Sequence, residues 1–139
     1  MKRHHALASL SRDHHHALVL AQRLKHANQS TATGARDAFL DYWRADGQRH
    51  FREEEEILLP CYAGHGDPDL PIVARVLTDH VRIRRLAQEI AADSPDIGVL
   101  HALGEQLGDH VRREERELFP LIEQALPEAE LVQLVELLT

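Results

Sequence analysis

A stretch that occurs twice in the chain is the feature that most constrains its fold. "HFREEEEILLP" occupies residues 50–60, and "HVRREERELFP" occupies residues 110–120. Each copy has a histidine, a glutamate four residues later and a closing proline. A second repeat lies upstream of each copy, because "DHHHALVLAQ" at residues 13–22 aligns with "DHVRIRRLAQ" at residues 79–88. Two copies of one helical hairpin that close on each other would present the same residues inward twice.

The spacing of apolar residues between the glycine- and proline-rich stretches is helical, and no stretch alternates with the period of a strand. We therefore expect an all-α fold, an up-down-up-down four-helix bundle from a duplicated hairpin with a short C-terminal helix. The predicted helices cover about residues 9–27, 35–59, 68–92 and 97–125. Ser9 or Ser11 is expected to cap the first helix, and Pro60 to end the second.

The whole chain, residues 1–139, is predicted to form one domain, with the bundle at about 9–125 and the tail helix at about 127–139. The tail helix is expected to carry its apolar residues on one face. These residues are Leu131, Leu134, Val135 and Leu138.

Composition narrows the classes of function. The net charge is −7 and no basic tract occurs, which argues against a nucleic-acid or anionic-membrane partner. Cys61 is the single cysteine, so no internal disulfide can form. The N-terminus has no apolar signal region, and no run of about eighteen apolar residues follows, so we expect a cytoplasmic protein. The chain nevertheless contains 11 histidines, against one tryptophan and two tyrosines.

Helix geometry indicates which polar residues of the repeat face inward. At about 100° per residue, His50 and Glu54 lie about 40° apart, on a stripe that is otherwise apolar. His110 and Glu114 occupy the equivalent stripe of the second copy. The remaining glutamates of the first copy, residues 53, 55 and 56, are expected to face solvent. Glu117 is left with two interpretations, an acceptor that supports the site or a charge at its rim.

The first helix offers three consecutive histidines. The repeat aligns His14 with His80, which makes His14 the preferred inward residue and His15 its rival, while His16 is expected to face solvent. A single buried histidine is ordinarily a core residue with a hydrogen-bonded neighbour. Four histidines and two glutamates inside one bundle are costly to bury unless something binds them all, and a pair of metal ions would do so. The candidate ligands are His14, His50, Glu54, His80, His110 and Glu114.

This order of residues resembles the hemerythrin-like (HHE cation-binding) domains. The resemblance rests on His14, "HFREE" at 50–54, His80 and "HVRRE" at 110–114. It implies two non-haem iron ions in an oxo- or hydroxo-bridged di-iron centre, with no catalytic side chain of the chain's own. One iron would be held by the histidines at 14 and 50, the other by those at 80 and 110, and the glutamates at 54 and 114 would bridge. The implied function is to sense, bind or reduce O₂, NO or peroxide, or to handle iron.

Two positions differ from the oxygen-carrying members of that family. Arg84 stands where those proteins have a second histidine one turn after the third-helix ligand. A glutamate four residues after His110, with Glu115 at five, stands where they have an aspartate at five. Reversible oxygen transport is therefore not expected. Two alternatives remain open, a two-metal oxidase or hydrolase, and an interaction module with a structural metal that uses the tail helix as its partner surface.

Overall fold

The computed structural model describes residues 2–92 and 96–138, and all regular secondary structure in these residues is helical. The all-α prediction is therefore confirmed. A 3₁₀ turn, His5–Leu7, precedes five helices, none of which is long and apolar enough within this part of the chain to cross a membrane. The helices are α1 (Ala8–Lys25), α2 (residues 32–63), α3 (Pro71–Ala92), α4 (residues 97–125) and α5 (Glu128–Leu137).

The long helices form a helical bundle in which α1 and α4 pack antiparallel. Near the start of α1, Ser11 donates a hydrogen bond to Glu115 of α4, whereas near its end the backbone of Ala21 approaches Gly104. A Cβ at Gly104 would lie 2.7 Å from the carbonyl oxygen of Ala21. The bare α-carbon of Gly104 thus allows α1 and α4 to pack at backbone contact.

The core consists of two apolar clusters with a polar level between them. On α1, Leu10 belongs to one cluster and Ala17 to the other. On α2 the same transition occurs between Phe51 and Leu58, with Glu54 at its middle. Residues 76 and 83 of α3, and 111 and 118 of α4, divide in the same way. The polar level therefore crosses the four long helices at one height, enclosed by apolar side chains above and below.

Helix α2 passes through Pro60 and ends at Ala63, so the prediction that it stops at the proline was wrong. A π turn, Glu54–Leu58, immediately precedes the proline, and the N–H of Leu59 bonds to the carbonyl five residues back, at Glu54. The wider turn displaces the carbonyls that a proline ring would otherwise meet, and proline has no N–H to satisfy. Helix α4 repeats the arrangement, since its π turn, Glu114–Leu118, precedes Pro120.

Two details at the ends of the chain also differ from the predictions. Neither Ser9 nor Ser11 caps α1, because both lie inside it; instead the ring of His4 accepts the N–H of Ala6 in the preceding 3₁₀ turn. Of the four apolar residues predicted for the tail helix, Leu131 and Leu134 are buried within it and Leu138 is buried directly after its end, whereas Val135 is exposed. The buried face of α5 joins the cluster that includes Leu7 and Leu58, so this face serves the core of the chain itself.

Candidate metal centre

Six side chains converge at the polar level, and they are the six that the repeat singled out. Each is buried, and the two glutamates are 0% exposed. They come from all four long helices: His14 from α1, His50 and Glu54 from α2, His80 from α3, and His110 and Glu114 from α4. We call these six residues the inner cluster.

The inner cluster divides into two groups of four that share both glutamates. In each group, one nitrogen or oxygen atom per residue lies within 4.8 Å of the others. One group is His14, His50, Glu54 and Glu114, and the other is Glu54, His80, His110 and Glu114. The division follows the repeat, because each group takes one histidine from α1 or α3 and one from α2 or α4. Each group could hold one metal ion.

Both glutamates span the two groups with their two oxygens. Glu54 places Oε2 3.1 Å from Nε2 of His50 and Oε1 3.0 Å from Nε2 of His80. Glu114 places Oε1 2.7 Å from Nε2 of His14 and Oε2 3.2 Å from Nε2 of His110. All four imidazoles therefore turn Nε2 toward the centre, where each carboxylate faces one histidine of each group.

Several atoms of this cluster have no hydrogen-bond partner among the residues that the structure describes. Buried atoms without one include Oε1 of Glu54, Oε2 of Glu114 and Nε2 of His80 and His110. Nε2 of His80 lies 3.0 Å from Oε1 of Glu54, which is close enough for strong attraction, yet the alignment does not make a hydrogen bond. Buried polar atoms left this way are costly, and a cation between them would satisfy them. Imidazole nitrogens with carboxylate oxygens are a donor set that suits iron.

A carboxylate holds the outer nitrogen, Nδ1, of every histidine in the inner cluster. Asp13 lies 3.1 Å from Nδ1 of His50, and Asp79 lies 3.0 Å from Nδ1 of His110. Each of these aspartates directly precedes the inner histidine of its own helix. A carboxylate on Nδ1 orients the ring and leaves Nε2 free to bind a metal.

Glutamate carboxylates face Nδ1 of the other two histidines. Glu55 Oε2 lies 2.6 Å from Nδ1 of His80, and Glu115 Oε2 lies 2.7 Å from Nδ1 of His14. The solvent-facing interpretation of residue 55 was therefore wrong, because this half-buried side chain reaches across to α3. The same prediction failed for Glu53, which is buried, and held for Glu56, which is exposed.

We call Asp13, Glu55, Asp79 and Glu115 the outer carboxylates. Sequence reasoning did not find them, although the repeat contained the signal. An Asp-His pair occurs at 13–14 and at 79–80, and a Glu-Glu pair at 54–55 and 114–115. Four of the six inner ligands, His14, Glu54, His80 and Glu114, thus have an acidic neighbour in the chain that serves a histidine on a different helix.

The outer aspartates, Asp13 and Asp79, differ in burial and in the number of their hydrogen bonds. Asp79 is fully buried and also accepts hydrogen bonds from Gln106, at 3.0 Å, from Arg75 and from Arg113. Asp13 is about one-fifth exposed, and within the described residues its hydrogen-bond partner is His50. The half that contains His110 is therefore held by the more buried and more extensive network.

The acidic surroundings raise the pKa of the inner histidines. Burial by itself lowers the pKa of His80, but contacts with Glu114 and Glu54 outweigh it and raise the pKa to about 10. Burial acts the same way on His110, where Glu114 and Asp79 raise the pKa to about 9. The pKa of Glu114 lies well below its ordinary value, because the opposing effect of burial is smaller than that of the surrounding histidines. In metal-free protein these shifts favour the charged forms of His80, His110 and Glu114.

The remaining candidates lie outside the inner cluster. His15 is exposed, and so is His16, whose ring meets Tyr42 edge-on at 5.1 Å. Glu117 is exposed, so it does not support the site. Arg84 is one-third exposed, and its Nη1 donates to Glu55 at 2.6 Å. The α1 histidine that the repeat preferred is thus the one that the structure brings to the centre.

Comparison with known proteins identifies one family model that covers this site. The model described as the hemerythrin HHE cation binding domain matches residues 5–123, a region that includes all six residues of the inner cluster. No match was found among curated proteins or among solved structures.

Proposed function

The chain belongs to the hemerythrin HHE cation-binding domain family, and from this premise we propose that it is a di-iron protein that binds and reduces a small molecule such as O₂, NO or peroxide. The observation that carries the proposal is the division of the inner cluster into two ligand groups that share both glutamates. Two carboxylates that each contact histidines of both groups favour two ions rather than one.

In this proposal the ligands divide as the repeat does. His14 and His50 would hold one ion, and His80 and His110 the other, while both glutamates of the inner cluster would contact both ions. The fold around them would be an up-down-up-down four-helix bundle from a duplicated hairpin, which places equivalent ligands across an approximate two-fold axis. The outer carboxylates would keep each ring in the tautomer that directs Nε2 to the ion.

Two iron ions held this way would supply electrons and open coordination positions for a small ligand. The protein supplies the surroundings. Phe51 stacks on His80 with the ring centres 3.8 Å apart, and Phe119 stacks on His14 at 5.2 Å. These fully covered rings, with the apolar clusters above and below, limit water at the centre and favour a small uncharged ligand.

The residue at position 84 affects whether O₂ would be bound reversibly or reduced. A guanidinium stays charged and has no lone pair to offer a metal, and this one is turned outward to Glu55. The chain therefore offers two histidines to each ion and no fifth histidine. We expect ferrous protein to be oxidised by O₂ rather than to carry it reversibly.

Metal analysis with absorption spectroscopy tests the proposal. Protein expressed with iron should contain about two iron atoms per chain, and His110→Ala should lose most of them. His16→Ala is the matched control, since it removes an exposed imidazole from the same protein and should leave iron content unchanged. A colourless protein that carries one zinc per chain would refute the di-iron proposal.

The fate of oxygen is tested separately by mixing anaerobic ferrous protein with O₂ in a stopped-flow spectrometer and then purging with argon. The expected result is rapid oxidation that purging does not reverse. An oxygenated spectrum that purging fully reverses would refute the reductive function and leave the metal site standing.

A further inference from the structure

A second π turn of α2 contributes one residue, Trp43, to a surface pocket. The turn Trp43–Gly47 interrupts α2, whereas the equivalent residues of the second copy, 103–107, lie in the regular segment Ile97–Arg113. The π turn is therefore an addition to the first copy that the repeat does not require. Single π turns inside α-helices occur frequently at functional sites.

The turn positions the single tryptophan of the chain. A Cβ at Gly47 would lie 2.6 Å from Cε3 of Trp43, so the absent side chain makes room for the indole. The ring stacks on Phe39 with centres 5.8 Å apart and meets Phe51 edge-on at 5.2 Å. Trp43 is 7% exposed, yet within the described part of the chain its N–H has no hydrogen-bond partner.

This indole lines a pocket of about 270 Å³ together with Gln48, Arg84 and Gln88. Among the described residues, the two glutamine side chains also make no hydrogen bond. Arg84 donates a hydrogen bond to Glu55 through Nη1, so the other N–H groups of its guanidinium remain available to a ligand. Every polar side chain of the pocket therefore has an unused donor, and no acidic residue lines it.

We propose that this pocket, lined by Trp43, Gln48, Arg84 and Gln88, binds a small organic carboxylate. A guanidinium fork and side-chain amides are groups that bind carboxylates with hydrogen bonds, and Arg84 already donates one such bond, through Nη1, to the carboxylate of Glu55. The flat indole provides an apolar wall for a short carbon chain. The volume admits a molecule of a few carbon atoms.

The pocket is connected to the inner cluster through Arg84. The same guanidinium bonds to Glu55, which holds Nδ1 of His80, and its Cζ lies 5.5 Å from the ring of Phe51, which stacks on His80. A carboxylate bound by the remaining donors of Arg84 shares the guanidinium with Glu55 and attracts it toward the pocket. Occupancy of the pocket therefore changes how Glu55 orients His80, and, given the proposed di-iron site, it changes the affinity for iron.

Fluorescence of Trp43 reports on the pocket directly, because the chain has no other tryptophan. The iron-loaded protein is titrated with propionate and, in parallel, with propionamide, which has the same shape without the charge. Propionate should produce a saturable change and a calorimetric binding signal, whereas propionamide should produce neither. An equal response to both compounds would overturn the proposal.

Arg84→Gln should weaken propionate binding by about tenfold or more, because hydrogen bonds to a charged group are lost. Arg85→Gln is the matched control: it removes the same charge one residue away, from a side chain that is 70% exposed and pairs with Glu89. Unchanged affinity in Arg84→Gln would overturn the proposal. If Arg84→Gln does not fold, Gln88→Ala, at an exposed position, should weaken binding by about two- to tenfold.

The connection to the metal is measured by iron competition against a chelator, with and without saturating propionate. By reciprocity, iron should change propionate affinity by the same factor that propionate changes iron affinity. Propionate binding with no change in iron affinity would refute the connection. If the protein binds propionate but cannot be loaded with iron, the di-iron proposal alone is refuted. If it loads iron but does not bind propionate, the pocket proposal alone is refuted.

Discussion

Asp79→Asn tests the outer carboxylates most sharply, because the substitution keeps the shape of the side chain and removes its charge. Oδ2 of Asp79 faces Nδ1 of His110 and the guanidinium of Arg113, and Oδ1 accepts hydrogen bonds from Gln106 and Arg75. Both oxygens are therefore acceptors with two donors each. An asparagine has one oxygen, so its NH₂ group must face donors on one side whichever way the amide turns.

The size of the effect follows from burial. Breaking a buried charged network by removing one partner costs about 3–5 kcal/mol. The lower end applies here, since the side chains of Arg75 and Arg113 are 50% and 20% exposed and can turn to water, whereas His110, at 1%, cannot. We expect metal-free Asp79→Asn protein to lose about 3 kcal/mol of unfolding free energy, which for a chain of this size is a fall of about 10 °C in Tm.

The metal affinity should fall as well. Removing a carboxylate that orients a ligating histidine typically weakens metal binding by about 10- to 100-fold, or about 1.4 to 2.7 kcal/mol. Chelator competition measures the affinity, and calorimetry of metal-free protein measures the stability, so the two effects are obtained separately.

Asp109→Asn is the matched control. It makes the same chemical change on α4, next to His110, but its side chain is 65% exposed and its ion pair with Arg112 is 3.4 Å long. Such a surface pair contributes about 0–1 kcal/mol. If Asp79→Asn bound iron as tightly as Asp109→Asn and melted within about 1 °C of it, the assigned role of Asp79 would be wrong.

Three further predictions follow from other parts of the molecule. His14→Ala should remove most of the iron, whereas His16→Ala, at an exposed position of the same helix, should keep it; equal loss by metal analysis would contradict the assigned register of α1. Metal-free protein should become less stable as pH rises from about 6.5 to 10. The pKa of His80 is raised from 6.5 to about 10 in the folded protein, so its stabilisation is fully present below 6.5 and is lost as the pH passes through 10; a Tm that rises across this range would contradict it. Gly104→Ala should destabilise the protein by about 1–3 kcal/mol, because the new methyl group meets the backbone of Ala21 at 2.7 Å; denaturant unfolding measures this, and a neutral result would show that α1 and α4 can separate freely.

Several properties of the site were predictable because they depend on spacing along one helix. A histidine and a glutamate four residues apart share a face whatever surrounds the helix, so His50 with Glu54, and His110 with Glu114, could be assigned from the repeat. The repeat also gave the register of α1, since His14 aligns with His80. All six residues meet at one level of the bundle.

The outer carboxylates depend on how the helices pack, and spacing along one helix says nothing about that. Glu55 lies off the inward stripe of α2, and only the position of α3 brings Nδ1 of His80 to within 2.6 Å of it. The same holds for Asp79, which faces His110 of α4 rather than the histidine of its own helix. A long side chain at the border of two helices can face solvent or a neighbour, and the distance and rotation of that neighbour decide which.

The continuation of α2 past Pro60 is a backbone feature that tertiary packing, rather than local sequence, decides. A proline in a helical pattern predicts an end, because a regular α-helix has no room for its ring. Helix α2 continues to Ala63 because the turn before the proline widens, and packing on both sides keeps that widened turn in place. Amino-acid order thus settles which residues share a face of a helix, since that is local geometry. Tertiary packing settles which carboxylate meets which imidazole and whether a helix survives a proline, since those outcomes depend on contacts between residues far apart in the chain.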